Sequence, residues 1–139
     1  MGLIILHSPD QMEALGQELG QKACCGEVFA ISGPLGAGKT TLIRGLARGL
    51  GFAGDVTSPT FTWIHEYVGG RLPLAHIDLF RLENEEDIYK LGLLDYLPWE
   101  GITAVEWPEK IQAFLPPGTQ HWEIAIVGEG VRSVRRRQA

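Results

Sequence analysis

The eight residues Gly33-Pro34-Leu35-Gly36-Ala37-Gly38-Lys39-Thr40 spell G-x-x-x-x-G-K-T. No other stretch limits the possible folds so strongly. A loop of this pattern turns backbone N–H groups inward around phosphate oxygens, and its lysine reaches the β- and γ-phosphates. The closing hydroxyl, here Thr40, is a Mg²⁺ ligand in such loops. The pattern requires a strand before it and a helix after it, because bound phosphate also gains from the helix N-terminus. Both are legible. Residues 27–32 read EVFAIS, a short β-prone run ending at Gly33. Residues 41–50 carry Leu42, Ile43, Leu46, Ala47 and Leu50 at helical spacing, and Gly51 follows as a stop. The residues expected to touch a nucleotide are therefore Gly33, Gly36, Ala37, Gly38, Lys39, Thr40 and Thr41.

A chain of 139 residues has room for one domain with a sizeable core. No linker or internal repeat divides it, so residues 1–139 read as one domain, with 131–139 as a last strand and basic tail. Twelve basic against seventeen acidic side chains leave a net charge of −5, which gives no general affinity for nucleic acid. No apolar run reaches membrane-spanning length, and the first residues lack the pattern of an export signal. A cytoplasmic protein without membrane contact is expected. The two cysteines, Cys24 and Cys25, are adjacent; they read as small packing residues rather than a disulfide or a metal site.

Residues 3–7 look like a first strand. Ser8-Pro9-Asp10-Gln11 then opens a helix, with Ser8 as N-cap, Pro9 in the first turn and Gln11 reaching back. Met12, Leu15 and Leu19 are its expected buried stripe. This unit either closes over a nucleotide's base or is a simple covering helix. Beyond the P-loop helix, Pro59 forces Ser58 to be extended. Thr60 and Thr62 then put hydroxyls where phosphate-hydrolysing proteins carry a γ-phosphate-sensing switch, and a plain turn entering a strand explains the same residues equally well. Residues 62–68 and 72–78 are β-prone runs around Gly69-Gly70-Arg71, a hairpin signal that predicts an antiparallel element in a mixed sheet. Residues 83–87 read as a solvated acidic helix start, with Ile88, Leu91 and Leu94 on its buried side. Residues 108–113 suggest a short helix. Trp122, Ile124 and Ile126 alternate as a strand, and Gly128-Glu129-Gly130 turns the chain into the last one.

Two apolar strands end in acids, Asp78 and Glu106. Acids at the carboxyl ends of sheet strands lie by the ligand crevice. One supports Mg²⁺ opposite the P-loop hydroxyl and the other orients water; spacing alone leaves open which does which. Trp107 is either a wall of that site or a core residue. The four histidines are scattered without metal-ligand spacing and read as structural.

The P-loop, Ser58-Pro59-Thr60-Phe61-Thr62, His76-Ile77-Asp78-Leu79-Phe80-Arg81-Leu82 and Glu106-Trp107, in that order, resemble the TsaE (YjeE) family of small bacterial P-loop ATPases, over roughly residues 8–132. The resemblance implies a single P-loop α/β domain: a mixed, mostly parallel central sheet with an antiparallel hairpin, flanked by helices. It implies ATP or ADP with Mg²⁺, slow intrinsic hydrolysis, and action with TsaB and TsaD. Those proteins place the threonylcarbamoyl group on adenosine 37 of tRNAs reading codons that begin with adenine; this subunit would meet tRNA only indirectly. By the family, Thr40 and Glu106 would hold Mg²⁺, and Asp78 would be a catalytic acid near the γ-phosphate, alongside Lys39 and Glu106. Ser58 to Thr62 would be a switch segment with Thr60 at the nucleotide, and Arg132 would lie near the nucleotide.

Two other functions compete. A small-molecule P-loop kinase needs an acceptor pocket and a basic lid, and the segment between Asp78 and Glu106 is short and acidic at its start. A nucleotide-gated binding module needs no catalytic acid, and Asp78 argues for hydrolysis. A GTPase is disfavoured by the lack of N-K-x-D and D-x-x-G.

Overall fold

The computed structural model describes residues 2–56 and 63–137. Seven strands form one sheet: β1 (Ile4–Leu6), β2 (Val28–Ser32), β3 (Ile64–Tyr67), β4 (Leu74–Asp78), β5 (Ile102–Glu106), β6 (Gln120–Gly128) and β7 (Val131–Arg137). Their order is β1-β7-β6-β2-β5-β4-β3. The pairs β6–β2, β2–β5 and β5–β4 are parallel. The expected hairpin is present as β3–β4, and a second, β6–β7, follows the Gly128 turn; β1 joins antiparallel to β7. Five strands thus share one direction, and the two hairpins supply the reversed ones. β2 is central, with its neighbours β5 and β6 reached in opposite directions. Its carboxyl end is a topological switch point, where α/β sheets bind ligands.

Two long helices, α1 (Pro9–Lys22) and α2 (Lys39–Gly49), cover one face. Strand alternation sends Phe29, Ile31, Leu74, Ile102, Trp122 and Ile124 to that side, against Met12, Leu42, Ile43 and Leu46. The opposite face packs Val28, Ile77 and Val105 against α3 (Glu86–Lys90) and the 3₁₀ turns Leu93–Tyr96 and Pro108–Phe114, through Ile88, Leu93 and Ile111.

Helix α1 starts as the sequence predicts: the Ser8 side chain accepts from the Gln11 N–H at 3.2 Å. Gln11 reaches back one residue further than a capping box requires, to the His7 N–H at 2.7 Å. The expected stripe of Met12, Leu15 and Leu19 needs correction. Leu15 and Leu19 are only partly covered, and the buried line is Met12, Gly16 and Gly20. Gly16 and Gly20 lie against Gly45 and Gly49 of α2 so closely that a Cβ at Gly45 would stand 2.1 Å from the Glu13 carbonyl oxygen. The helices meet backbone to backbone. α2 ends as expected, with Gly51 at φ +95° donating to the Arg48 carbonyl and Phe52 to Ala47, a Schellman closure. Arg71, from the β3–β4 turn, donates to the Gly20 and Ala23 carbonyls at 2.8 and 2.9 Å and so closes the end of α1.

Other expectations are revised. The helix after Glu83 is one short turn, because Gly92 at φ +71° breaks it into a 3₁₀ segment. Ile88 and Leu93 are buried there, whereas Leu91 and Leu94 face solvent. The Pro108 segment is 3₁₀, interrupted at Ile111. Cys24 and Cys25 are exposed free thiols rather than packing residues. No helix among the described residues is long and apolar enough to cross a membrane.

Candidate nucleotide and metal site

The P-loop leaves the carboxyl end of β2 and runs into α2, whose first residue is Lys39. Gly38, the N-cap, sits at φ +108°, a conformation open to glycine and strained for other residues. The Cε of Met12 would be 3.2 Å from any Cβ there. Lys39 is buried beneath the loop. Its Nζ donates to the Gly33 and Pro34 carbonyls at 2.6 and 2.9 Å and lies 4.1 Å from the centroid of the Trp107 ring. Burial lowers the Lys39 ammonium below its ordinary range, against the pull of Glu106 and Asp78.

Sheet register supplies the acids. Asp78 and Glu106 are partners across β4 and β5, so both carboxylates stand at the same level on the α2 face. Glu106 is 3 % exposed, and its Oε2 accepts from Thr40 Oγ1 at 3.1 Å. The same oxygen lies 2.6 Å from Nε2 of His76, which is fully buried. Burial, then the neighbouring Glu106 charge, raises the Asp78 carboxyl above the usual carboxylate range; the Phe80 N–H that it accepts pulls the other way.

These groups line a cleft of about 330 Å³ together with Leu35, Gly36, Gly38, Thr41, Phe80 and Trp107. Trp107 is its wall. It is the one non-glycine with positive φ (+61°) among the described residues, directly after Glu106, and its ring meets Phe80 at a tilt, with centroids 5.2 Å apart. A second cavity, about 180 Å³, lies across the P-loop and is lined by Ser8, Pro9, Met12, Gly36, Ala37, Gly38, Thr41, Gly130 and Arg132. The start of α1 does close over this flank. Arg132 Nε donates to the Ala37 carbonyl at 3.2 Å, beside the loop.

Lys39, Thr40, Asp78 and Glu106 thus converge. Gly36, Ala37, Gly38 and Thr41 line one or both cavities, Gly33 holds Lys39 through its carbonyl, and Arg132 borders the second cavity. Thr60, Thr62 and the rest of the segment expected to be a switch lie outside the described residues. Arg81 is exposed and does not line the cleft. Of the four scattered histidines, His76 touches Glu106 directly. Its signal was in the sequence: His76 and Asp78 are two apart on a strand, so they face the same way. Trp107 was flagged without a decision, and the structure makes it the wall.

Thr40, Glu106 and Asp78 are hard oxygen donors at one end of a phosphate loop, a set that fits Mg²⁺, which takes few protein ligands beside phosphate and water. No cluster of three or more His, Cys, Asp or Glu with metal-holding geometry occurs among the described residues.

The model of the threonylcarbamoyl adenosine biosynthesis protein TsaE family matches residues 6–138. The chain belongs to the TsaE family. Curated TsaE proteins agree along most of its length. That of Bacillus subtilis is 39 % identical over 127 residues, covering 91 % of this chain and 79 % of its own. That of Aquifex aeolicus is 37 % identical over 134 residues, covering 95 % and 92 %. That of Synechocystis is 46 % identical over 112 residues, covering 76 % and 68 %. Each is described as a tRNA threonylcarbamoyladenosine biosynthesis protein. The crystal structure of Bacillus subtilis YdiB superposes with a TM-score of 0.83 at 32 % identity, over 97 % of this chain and 83 % of that one. The TsaE match spans the P-loop, both acid-ended strands and Arg132.

Proposed function

We propose that this chain is a Mg²⁺-dependent ATPase that serves formation of the threonylcarbamoyl group on adenosine 37 of tRNA. It acts with TsaB and TsaD in the cytoplasm, and its hydrolysis drives or resets that transferase complex. Membership of the TsaE family supports the pathway. One observation carries the chemistry: Thr40, Glu106 and Asp78 meet at the mouth of a P-loop whose lysine is already in place.

The mechanism is positional. Backbone N–H groups of the P-loop and α2 bind the phosphates. The Lys39 ammonium is held by the Gly33 and Pro34 carbonyls beside the loop, where it would meet the β/γ oxygens. Thr40 and Glu106 would hold Mg²⁺, which would supply neutralisation of the charge that builds on the phosphate oxygens. Asp78 orients the attacking water and accepts its proton. The water oxygen bonds to the γ-phosphorus, the β–γ bridging P–O bond breaks, and ADP and phosphate leave without a covalent enzyme intermediate. Trp107 and Phe80 shield one side from solvent. The nucleoside would lie in the second cavity, which is lined by the start of α1 and Arg132. The described part of the site contains no arginine aimed at the γ-phosphate position, so slow intrinsic turnover raised by partners is expected. Exposed Phe80 and Leu35 at the cleft mouth give such partners apolar contacts.

Asp78→Ala tests this against a nucleotide-gated module. The variant is expected to bind ATP and to fail in threonylcarbamoyladenosine formation in a reconstituted system. Full modification by a variant that binds but does not hydrolyse ATP would leave only nucleotide gating.

A further inference from the structure

His76 sits where the rest of its strand face is apolar core. Leu74 precedes it by two residues, and Ile102 and Ala104 flank it on β5, all buried toward α2. A fully buried imidazole is unfavourable there unless its polar atoms find partners. One does: Nε2 lies 2.6 Å from Glu106 Oε2. Nδ1 is buried and has no hydrogen-bond partner among the described residues. These facts select the tautomer. A lone pair on Nε2 would face a carboxylate oxygen at hydrogen-bond distance, so Nε2 carries hydrogen. A hydrogen on Nδ1 would be a buried donor with nothing to receive it, so Nδ1 holds its lone pair.

Glu106 Oε2 therefore accepts twice, from His76 Nε2 and from Thr40 Oγ1. Two donors on one oxygen fix the plane of the carboxylate. Oε1 has no hydrogen-bond partner among the described residues, and Glu106 lines the cleft. We infer that His76 is a positioning residue for the metal: its Nε2–H holds Glu106 so that the carboxylate is already aimed at Mg²⁺ before nucleotide arrives. Thr40 supplies one donor to this oxygen, and His76 supplies the second from the neighbouring strand β4. Groups that orient a metal ligand typically change metal affinity about 10–100-fold when removed. This inference rests on Glu106 being a ligand of the ion.

The test measures ADP binding by calorimetry across a Mg²⁺ series, for the wild type, His76→Phe and His76→Gln. Phe fills the space without a donor; Gln keeps an N–H near the position of Nε2. His76→Phe is expected to need roughly tenfold more Mg²⁺ for half-maximal enhancement of ADP binding, while Mg²⁺-free ADP affinity stays within about twofold of wild type. His76→Gln is expected to restore most of the Mg²⁺ response. A ¹⁵N-labelled wild-type sample without nucleotide is expected to show the Nε2–H tautomer of His76. A wild-type Mg²⁺ response in folded His76→Phe, or an Nδ1–H tautomer, overturns the assignment. If His76→Phe does not fold, the spectrum and His76→Gln decide, and a Gln variant without Mg²⁺ response overturns it. Wild-type ADP binding that is indifferent to Mg²⁺ overturns the metal reading itself, and the His76 role with it.

Discussion

Asp78 and Glu106 are register partners at the carboxyl ends of two adjacent parallel strands, so two carboxylates share one partly buried corner beside Thr40 and Lys39. Without a cation between them they repel. Burial and the Glu106 charge hold the Asp78 carboxyl above its ordinary range. The folded chain then keeps a proton on Asp78 at pH values where the unfolded chain has released it. Stability from this group falls as pH rises through that window, and the loss is complete above the folded pKa. In metal-free buffer, Asp78→Asn is expected to melt a few degrees higher than wild type at pH 7. The difference should vanish below the ordinary Asp pKa. A calorimetric pH series checks it. The same variant should lose hydrolysis by roughly 10²–10³-fold, a separation of stability from activity expected of a catalytic group.

The contact between α1 and α2 allows a sharper stability prediction. Alanine in a helix interior ordinarily gains about 1 kcal/mol over glycine. At Gly45 the new Cβ would stand 2.1 Å from the Glu13 carbonyl oxygen, and the neighbour is backbone, which cannot swing aside. Overlap outweighs propensity. Gly45→Ala is expected to destabilise by roughly 1–3 kcal/mol, read from the urea midpoint. Because Met12 of α1 lines the second cavity beside Gly38, the shift should also weaken nucleotide binding.

Arg132 acts on the loop rather than on the core. Its guanidinium donates to the Ala37 carbonyl and borders the second cavity. Arg132→Ala removes a charged donor at a half-buried position. ADP affinity is expected to fall about fivefold, equivalent to one hydrogen bond of about 1 kcal/mol, with the melting temperature nearly unchanged. Calorimetric titration with ADP measures it.

Local pattern made much of this legible. The G-x-x-x-x-G-K-T run defined a strand, a loop and a helix. Gly69-Gly70-Arg71 signalled the β3–β4 hairpin, and the acid-ended runs located Asp78 and Glu106. The register that sets those acids side by side is a long-range fact that no local window contains. The same holds for Gly16 and Gly20, whose meaning lies in a partner helix thirty residues on. Leu15 and Leu19 fitted a helical stripe by period, yet close packing at the glycines turned the buried line away from them. His76 was readable through its two-residue spacing from Asp78, but its bond to Glu106 depends on strand pairing. Gly92 broke a helix whose apolar spacing continued past it, because its backbone takes positive φ.

The most direct test of the account is ATP hydrolysis by the purified chain with Mg²⁺, alone and with TsaB and TsaD, using Lys39→Ala as the blank. The account predicts slow turnover alone and strong stimulation by the partners, both absent in Lys39→Ala. Equal, negligible hydrolysis with and without the partners, by a wild type that still binds ATP, would contradict it.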